Sequence, residues 1–196
     1  MNSLHVWLVI DTSTSMRGDR AKGVYRGITQ LMKSLQIKQK SGRYYDIRIH
    51  CVLFATQVEE ITPDEGVPVE DFKLSAISTN GHSSLGMALY HVSKKLNDLN
   101  ISEDQYIPLV VVVSDGFCTT SESFYLAVIQ KFDTLPITKR VVRICLVVGS
   151  DEEWYDKDVL LQFCKEENHI VNMQNCAGIV SLIKEESILD NMLSEG

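Results

Sequence analysis

Leu4-His5-Val6-Trp7-Leu8-Val9-Ile10, followed without a break by Asp11-Thr12-Ser13-Thr14-Ser15, is the stretch that decides the fold. The apolar run predicts a central strand covered on both faces. It is about six residues long and has no basic residues ahead of it, so it does not read as a signal-peptide core. The polar segment after it places a carboxylate and two hydroxyls at alternate positions on a turn leaving a buried strand. Such a turn can aim all three groups at one small cation. Carboxylate and serine oxygens are hard donors, suited to Mg²⁺, Mn²⁺ or Ca²⁺ and not to zinc.

Outward from this segment, short apolar runs alternate with helical patterns. Strands are expected over Ile47–Phe54, Leu109–Ser114 and Val141–Val148, the last interrupted by Arg143. A run from Gln57 to Ile61 follows the second strand too closely for a parallel crossover, so it must pair with it as an antiparallel hairpin. A weak last strand is expected over His169–Met173. Ala21, Val24, Ile28, Leu31 and Leu35 recur at spacings of three and four, and this predicts an amphipathic helix. Leu85, Leu89, Val92, Leu96 and Leu99 do the same. Phe124–Phe132, Val159–Cys164 and Ile179–Leu193 supply three less regular helices. Loops are expected around Ser41-Gly42, from Pro63 to Pro68 and at Pro136.

This order predicts an α/β, doubly wound, mostly parallel sheet of about six strands with one antiparallel edge strand and helices on both faces. The 196 residues are expected to form a single domain over 1–196. A net charge of −7 argues against nonspecific binding to nucleic acid and against an anionic membrane surface. No run reaches the roughly 20 apolar residues that span a bilayer. The 5 cysteines are scattered, without a Cys-x-x-Cys pair, which suits reduced thiols and a cytoplasmic location.

In doubly wound sheets, ligands bind beyond the carboxyl ends of the strands where strand order reverses. Asp11 follows the first strand, and Asp115, in Ser114-Asp115-Gly116, follows the fourth. If those strands are neighbours, both carboxylates reach one rim. A third segment, Gly81-His82-Ser83-Ser84-Leu85-Gly86-x-Ala88-Leu89, can join them.

Together, Asp11-x-Ser13-x-Ser15-Met16-Arg17-Gly18, the Gly81–Leu89 segment and Ser114-Asp115-Gly116 resemble a von Willebrand factor A domain with its metal-ion-dependent adhesion site. The resemblance covers about residues 4 to 185 and implies a Rossmann-like fold. The Met-Arg-Gly and Leu-Gly-x-Ala-Leu pieces are similar to the bacterial subgroup associated with tellurium resistance and stress-response gene clusters. Position by position, the resemblance implies Asp11, Ser13, Ser15, Ser83 and Asp115 as metal ligands, with Mg²⁺ as the expected ion and Mn²⁺ or Ca²⁺ as alternatives. Ser83 stands where the family usually has threonine; it keeps the hydroxyl and loses a methyl, which loosens the rotamer. His82 stands where a small residue is common.

Two carboxylates and neutral hydroxyls leave a divalent ion short of anionic ligands, so an Asp or Glu of another protein can complete its shell. The expected function is thus a noncatalytic, metal-dependent protein-interaction module in a stress-response or defence assembly. Its implied neighbours are kinase- or phosphatase-like. The alternatives are a scaffold whose metal is purely structural and a metal-dependent phosphatase of the haloacid dehalogenase kind. The phosphatase needs a second Asp two residues after the first, where this chain has Ser13, so its acid/base group is missing.

Simpler roles exist for each residue. Asp11, Ser13, Ser15 and Ser83 are also ordinary helix caps, and Asp115 is an ordinary turn residue. His82 reads as a rim residue. Phe117 is either an exposed anchor or packing beneath its loop. Cys118 has no base beside it and is not expected to act as a nucleophile. Asp151-Glu152-Glu153 reads as a solvated cluster opening a helix. Trp154 and Tyr155 are half-buried packing or interface residues. The basic run from Lys33 to Arg43 reads as solvated surface.

Overall fold

The computed structural model describes residues 3–41, 46–99, 107–148 and 155–180. The acidic residues Asp151 to Glu153, Trp154, and all but the start of the helix expected over Ile179–Leu193 lie outside them, as does the end of the basic run.

Along the chain the elements are β1 (Ser3–Asp11), α1 (Asp19–Lys40), β2 (Asp46–Phe54), β3 (Val58–Glu60), β4 (Val67–Pro68), α2 (Leu85–Asp98), β5 (Leu109–Val113), α3 (Glu122–Thr134), α4 (Pro136–Arg140), β6 (Val142–Val147), α5 (Lys157–Cys164) and β7 (Ile170–Asn172). Three-ten turns cover Thr14–Met16, Glu167–His169 and Met173–Gly178.

The sheet runs β3-β2-β1-β5-β6-β7, with β4 also paired to β2. Pairings of β1 with β2 and β5, of β5 with β6 and of β6 with β7 are parallel. The antiparallel edge is in two pieces, because β3 and β4 both run against β2. The sheet therefore has seven strands where the sequence suggested about six. The extra strand is the Val67-Pro68 pair, inside a segment whose prolines read as loop. An edge position tolerates the proline, which has no N–H to donate to a ladder.

Alternation along β1 explains its solid apolar run. Leu4, Val6, Leu8 and Ile10 enter one core cluster with Val24, Ile28, Leu31 and Leu35 of α1. Trp7 and Val9 enter the other, with Leu85, Leu89, Val92 and Leu96 of α2 and with Tyr125, Val128 and Phe132 of α3. Successive side chains point to opposite faces, so a strand roofed by helices on both sides is apolar from Val6 to Ile10, where every residue is buried. Each fully buried Leu, Val or Ile contributes about 1.5–3 kcal/mol of transfer free energy.

Arg143, the apparent interruption of β6, is buried as well. It donates to Asp133 Oδ1 at 2.8 Å and to the Thr138 carbonyl at 3.3 Å. Its guanidinium also lies over the Phe132 ring, 5.2 Å from the centroid.

Strand order reverses at β1, which has β2 on one side and β5 on the other. Ile10 pairs with Val113, so the residues after them, Asp11 and Ser114, leave the sheet side by side. This register puts both aspartates on one rim.

Candidate functional site

The turn after β1 is held from below and from both sides. Met16 is fully buried in the α1 cluster and anchors the three-ten turn. Thr12 donates from its amide and its hydroxyl to the Phe54 carbonyl, at 2.7 and 3.0 Å, locking the turn to the end of β2. The Asn80 amide donates to Thr12 O at 2.8 Å, and the Thr14 amide to Gly81 O at 3.1 Å. Those two bonds tie in the segment that leads to α2. Gly81 is needed there: its φ is +80°, and a Cβ would sit 2.3 Å from Thr56 Oγ1. Few side chains tolerate that conformation.

The aspartates and hydroxyls converge from these loops. Asp11 Oδ2 accepts from Ser83 Oγ and from Ser114 Oγ, each at 2.8 Å, and Oδ1 accepts from the Ser13 amide at 2.8 Å. Ser13 Oγ and Ser15 Oγ are 3.1 Å apart. Asp115 is joined to Ser15 through Arg20 Nη1, which donates to the Ser15 carbonyl at 3.0 Å. Asp115 Oδ1 accepts from the Phe117 amide at 3.2 Å, and Oδ2 from Arg20 Nη1 at 2.9 Å. All five residues singled out in the sequence thus join one hydrogen-bonded constellation on one rim.

Burial is graded across it. Asp11, Ser13, Ser83 and Asp115 are buried, whereas Ser15, His82 and Phe117 are exposed. The constellation is therefore reached from the Ser15 side. Burial pushes the Asp115 carboxyl above its ordinary range, opposed by the Ser15 hydroxyl; the Asp11 charge pushes it further up, and Arg20 pulls it down.

The capping alternatives separate cleanly. Ser13 precedes the three-ten turn but makes no side-chain cap bond. Ser84, not Ser83, stands at the cap of α2, and it too makes none. Ser83 Oγ goes to Asp11 instead, while its carbonyl accepts from the Thr119 amide and hydroxyl at 2.8 and 2.9 Å. Asp11 and Asp115 do keep a local role, since each accepts from an amide two residues on, but each has a second oxygen turned to distant partners. His82 is a rim residue whose amide donates to Thr56 Oγ1 at 3.0 Å. Cys118 is half-buried, and Cys118 and Tyr155 pack on the α2 cluster.

Two members of the constellation were not among the residues marked from sequence. Ser114 bridges Asp11 and the Gly116 amide, from which it accepts at 3.0 Å. Arg20, at the second position of α1, reaches both Asp115 and the Ser15 carbonyl, the latter at 3.0 Å. Their partners lie 103 and 95 residues away respectively, a distance no local pattern conveys. The adjacency of Ser114 to Asp115 was the one available hint.

A divalent cation fits this donor set. Two carboxylates and three hydroxyls gathered on a partly open rim are oxygen donors of the kind Mg²⁺, Mn²⁺ and Ca²⁺ prefer. Among the described residues no group of three or more His, Cys, Asp or Glu side chains offers a rival metal site.

A mostly parallel sheet with its polar constellation at the strand-order reversal defines the class of α/β domains that seat ligands at a switch point. The model of the von Willebrand factor type A domain matches residues 5–185, and the chain belongs to that family, whose domains are generally interaction modules, often with a metal-dependent adhesion site. Manganese-loaded TRAP protein of Plasmodium vivax is similar in fold, with a TM-score of 0.67 and 17% identity over 93% of this chain and 73% of that one. Proximal thread matrix protein 1 from the mussel byssus, with zinc in its MIDAS motif, has a TM-score of 0.59 and 13% identity over 91% of this chain and 46% of that one. The ArnB paralogue VWA2 of Sulfolobus acidocaldarius has a TM-score of 0.61 and 18% identity, covering 91% and 44%. This chain spans less than half the length of the latter two. At such identities the likeness is one of fold. No curated protein sequence matches the chain. Among the described residues no helix is long and apolar enough to cross a membrane.

Proposed function

We propose that the whole chain is one metal-dependent interaction domain in which Asp11, Ser13, Ser15, Ser83 and Asp115 hold a divalent cation, Mg²⁺ in the first instance. A bound ion of this kind supplies a Lewis-acidic seat for a carboxylate of a partner protein. The chain's own residues do the rest. The Asp11 and Asp115 carboxylates neutralise the ion, the hydroxyls orient those carboxylates, and the exposed side at Ser15, His82 and Phe117 admits the partner's Asp or Glu.

The observation that carries this reading is the meeting of Asp11 with Ser83 and Ser114, from 72 and 103 residues away, beside Asp115. An arrangement needed only for capping would not gather two carboxylates and four hydroxyls from separate loops. The Met16-Arg17-Gly18 segment and the start of α2 support placement in the tellurium-resistance-associated subgroup. A role in a cytoplasmic stress-response or defence assembly with kinase- or phosphatase-like neighbours follows from that placement.

Titration with Mn²⁺, followed by the loss of the free-ion paramagnetic resonance signal, tests the site, with Mg²⁺, Ca²⁺ and Zn²⁺ as competitors. Zinc is included because the mussel protein carries it in its motif. One-to-one binding that disappears in Asp11→Ala, with the circular dichroism of the fold retained, is the expected result. Capture of neighbouring gene products should then be lost in chelator; equal capture with and without chelator would overturn the recruiting role.

A further inference from the structure

A tethered cation already sits in the constellation. A single guanidinium nitrogen of Arg20 contacts both Asp115 Oδ2, at 2.9 Å, and the Ser15 carbonyl, at 3.0 Å. The Asp115 side chain is fully buried, whereas that of Arg20 is 22% exposed. A buried carboxylate next to a second one is costly unless a positive charge accompanies it. Arg20 supplies that charge from the first turn of α1, and a divalent ion would supply it too. Arg20 and a bound ion would draw on the same Asp115 carboxylate.

We propose, resting on the metal-binding reading above, that Arg20 sets the affinity of the site by weakening the hold on the ion alone and strengthening the capture of a partner carboxylate. The charges make the argument. Asp11 and Asp115 together carry two negative charges, so a divalent ion with them is neutral, and an incoming carboxylate adds an unmatched negative charge. With Arg20 retained nearby, the same assembly carries one positive charge, and the partner's carboxylate brings it to neutrality. Like charges in a poorly solvated site repel strongly, so the guanidinium lowers the affinity for metal until that carboxylate arrives.

Arg20 also lines a surface cavity of about 560 Å³ that Asp19, Arg26, Gln30, Asn172 and Met173 help to wall. Arg20 is thus a positioning residue that links ion and partner, and the partner it favours is acidic.

The test is Mn²⁺ titration of wild type, Arg20→Gln and Arg20→Lys, each with and without acetate as the carboxylate probe, in large excess over the protein so that its free concentration stays fixed. Arg20→Gln should bind Mn²⁺ alone at least about tenfold tighter and gain less from acetate than wild type does. Arg20→Lys keeps the charge and should stay within about threefold of wild type. Without metal, Arg20→Gln should melt lower, because Asp115 has lost its partner, and Mn²⁺ should restore it. Equal or weaker Mn²⁺ binding by Arg20→Gln would overturn the inference and leave the metal site standing. So would equal tightening in Arg20→Lys, or a Gln variant that does not fold even with Mn²⁺ present. Absence of binding in wild type would instead remove the metal reading itself.

Discussion

Lowering the pH from 7 to 5 should destabilise this protein through a histidine far from the candidate site. His50 lies on β2, fully buried, stacked on Trp7 with ring centroids 4.2 Å apart and planes 8° from parallel. Its Nε2 shares a hydrogen bond of 2.9 Å with His5 Nδ1, and its Nδ1 has no partner among the described residues. Burial, aided by the charges of His5, Lys95 and Arg48, pushes His50 from its ordinary 6.5 down to about 3. The unfolded chain therefore binds a proton here below pH 6.5, while the native state refuses it until about pH 3. Within that window the unfolded state holds more protons, so stability is complete above it and falls as the pH drops. At pH 5 the loss from this one group is about 2 kcal/mol, from 1.4 kcal/mol per unit over 1.5 units. His5, also lowered by burial, acts in the same direction. Urea unfolding followed by far-ultraviolet circular dichroism at pH 7 and pH 5 measures the difference. His50→Phe, which keeps an aromatic ring against Trp7, should remove most of it. Equal stability at the two pH values, or an undiminished fall in His50→Phe, would refute the reasoning.

Other perturbations have equally definite outcomes. Gly116→Ala should disturb the rim, because Gly116 has φ of +76° and a Cβ would lie 2.7 Å from the Asp156 carbonyl oxygen; a loss of about 1–3 kcal/mol together with weakened Mn²⁺ binding is expected in denaturation and titration. Ser114→Ala removes a donor to buried Asp11, and should cost about 1–2 kcal/mol and lower Mn²⁺ affinity, whereas Ser83→Thr, which retains the hydroxyl, should keep Mn²⁺ binding. Arg143→Ala should destabilise by about 2–4 kcal/mol, read from the urea midpoint, since it removes both the Asp133 pair and the packing on Phe132. In native protein a thiol reagent should label Cys118 first: the other cysteines are buried, and burial pushes Cys51 up to about 12. Rapid labelling of more than one thiol would contradict that packing.

Much of the architecture was legible because its determinants are local. The unbroken run of β1 and the spacing of Val24, Ile28, Leu31 and Leu35 in α1 each encode a face to be buried. The proximity of Gln57–Ile61 to β2 forced an antiparallel pairing on chain length alone. What escaped notice was short or read against its own composition. Val67-Pro68 forms a strand because β2 offers it an edge, not because its residues favour one. Arg143 looked like an interruption, yet Asp133, Thr138 and Phe132 receive it in the interior. Of the constellation, Asp11, Ser13, Ser15, Ser83 and Asp115 could be marked from three motifs; Ser114 stood inside one of them without its bond to Asp11 being legible, and Arg20 stood in none.

From the amino-acid order alone came the layering, the strand that feeds the rim and the chemical character of the oxygen donors, since periodicity and side-chain type act over a few residues. Folding in three dimensions decided that β1 and β5 are neighbours in a register that sets Asp11 beside Ser114. It also decided that Arg20 shares its charge with Asp115. Those outcomes depend on how two helical layers pack across a common sheet, and that packing free energy is a property of the whole assembly.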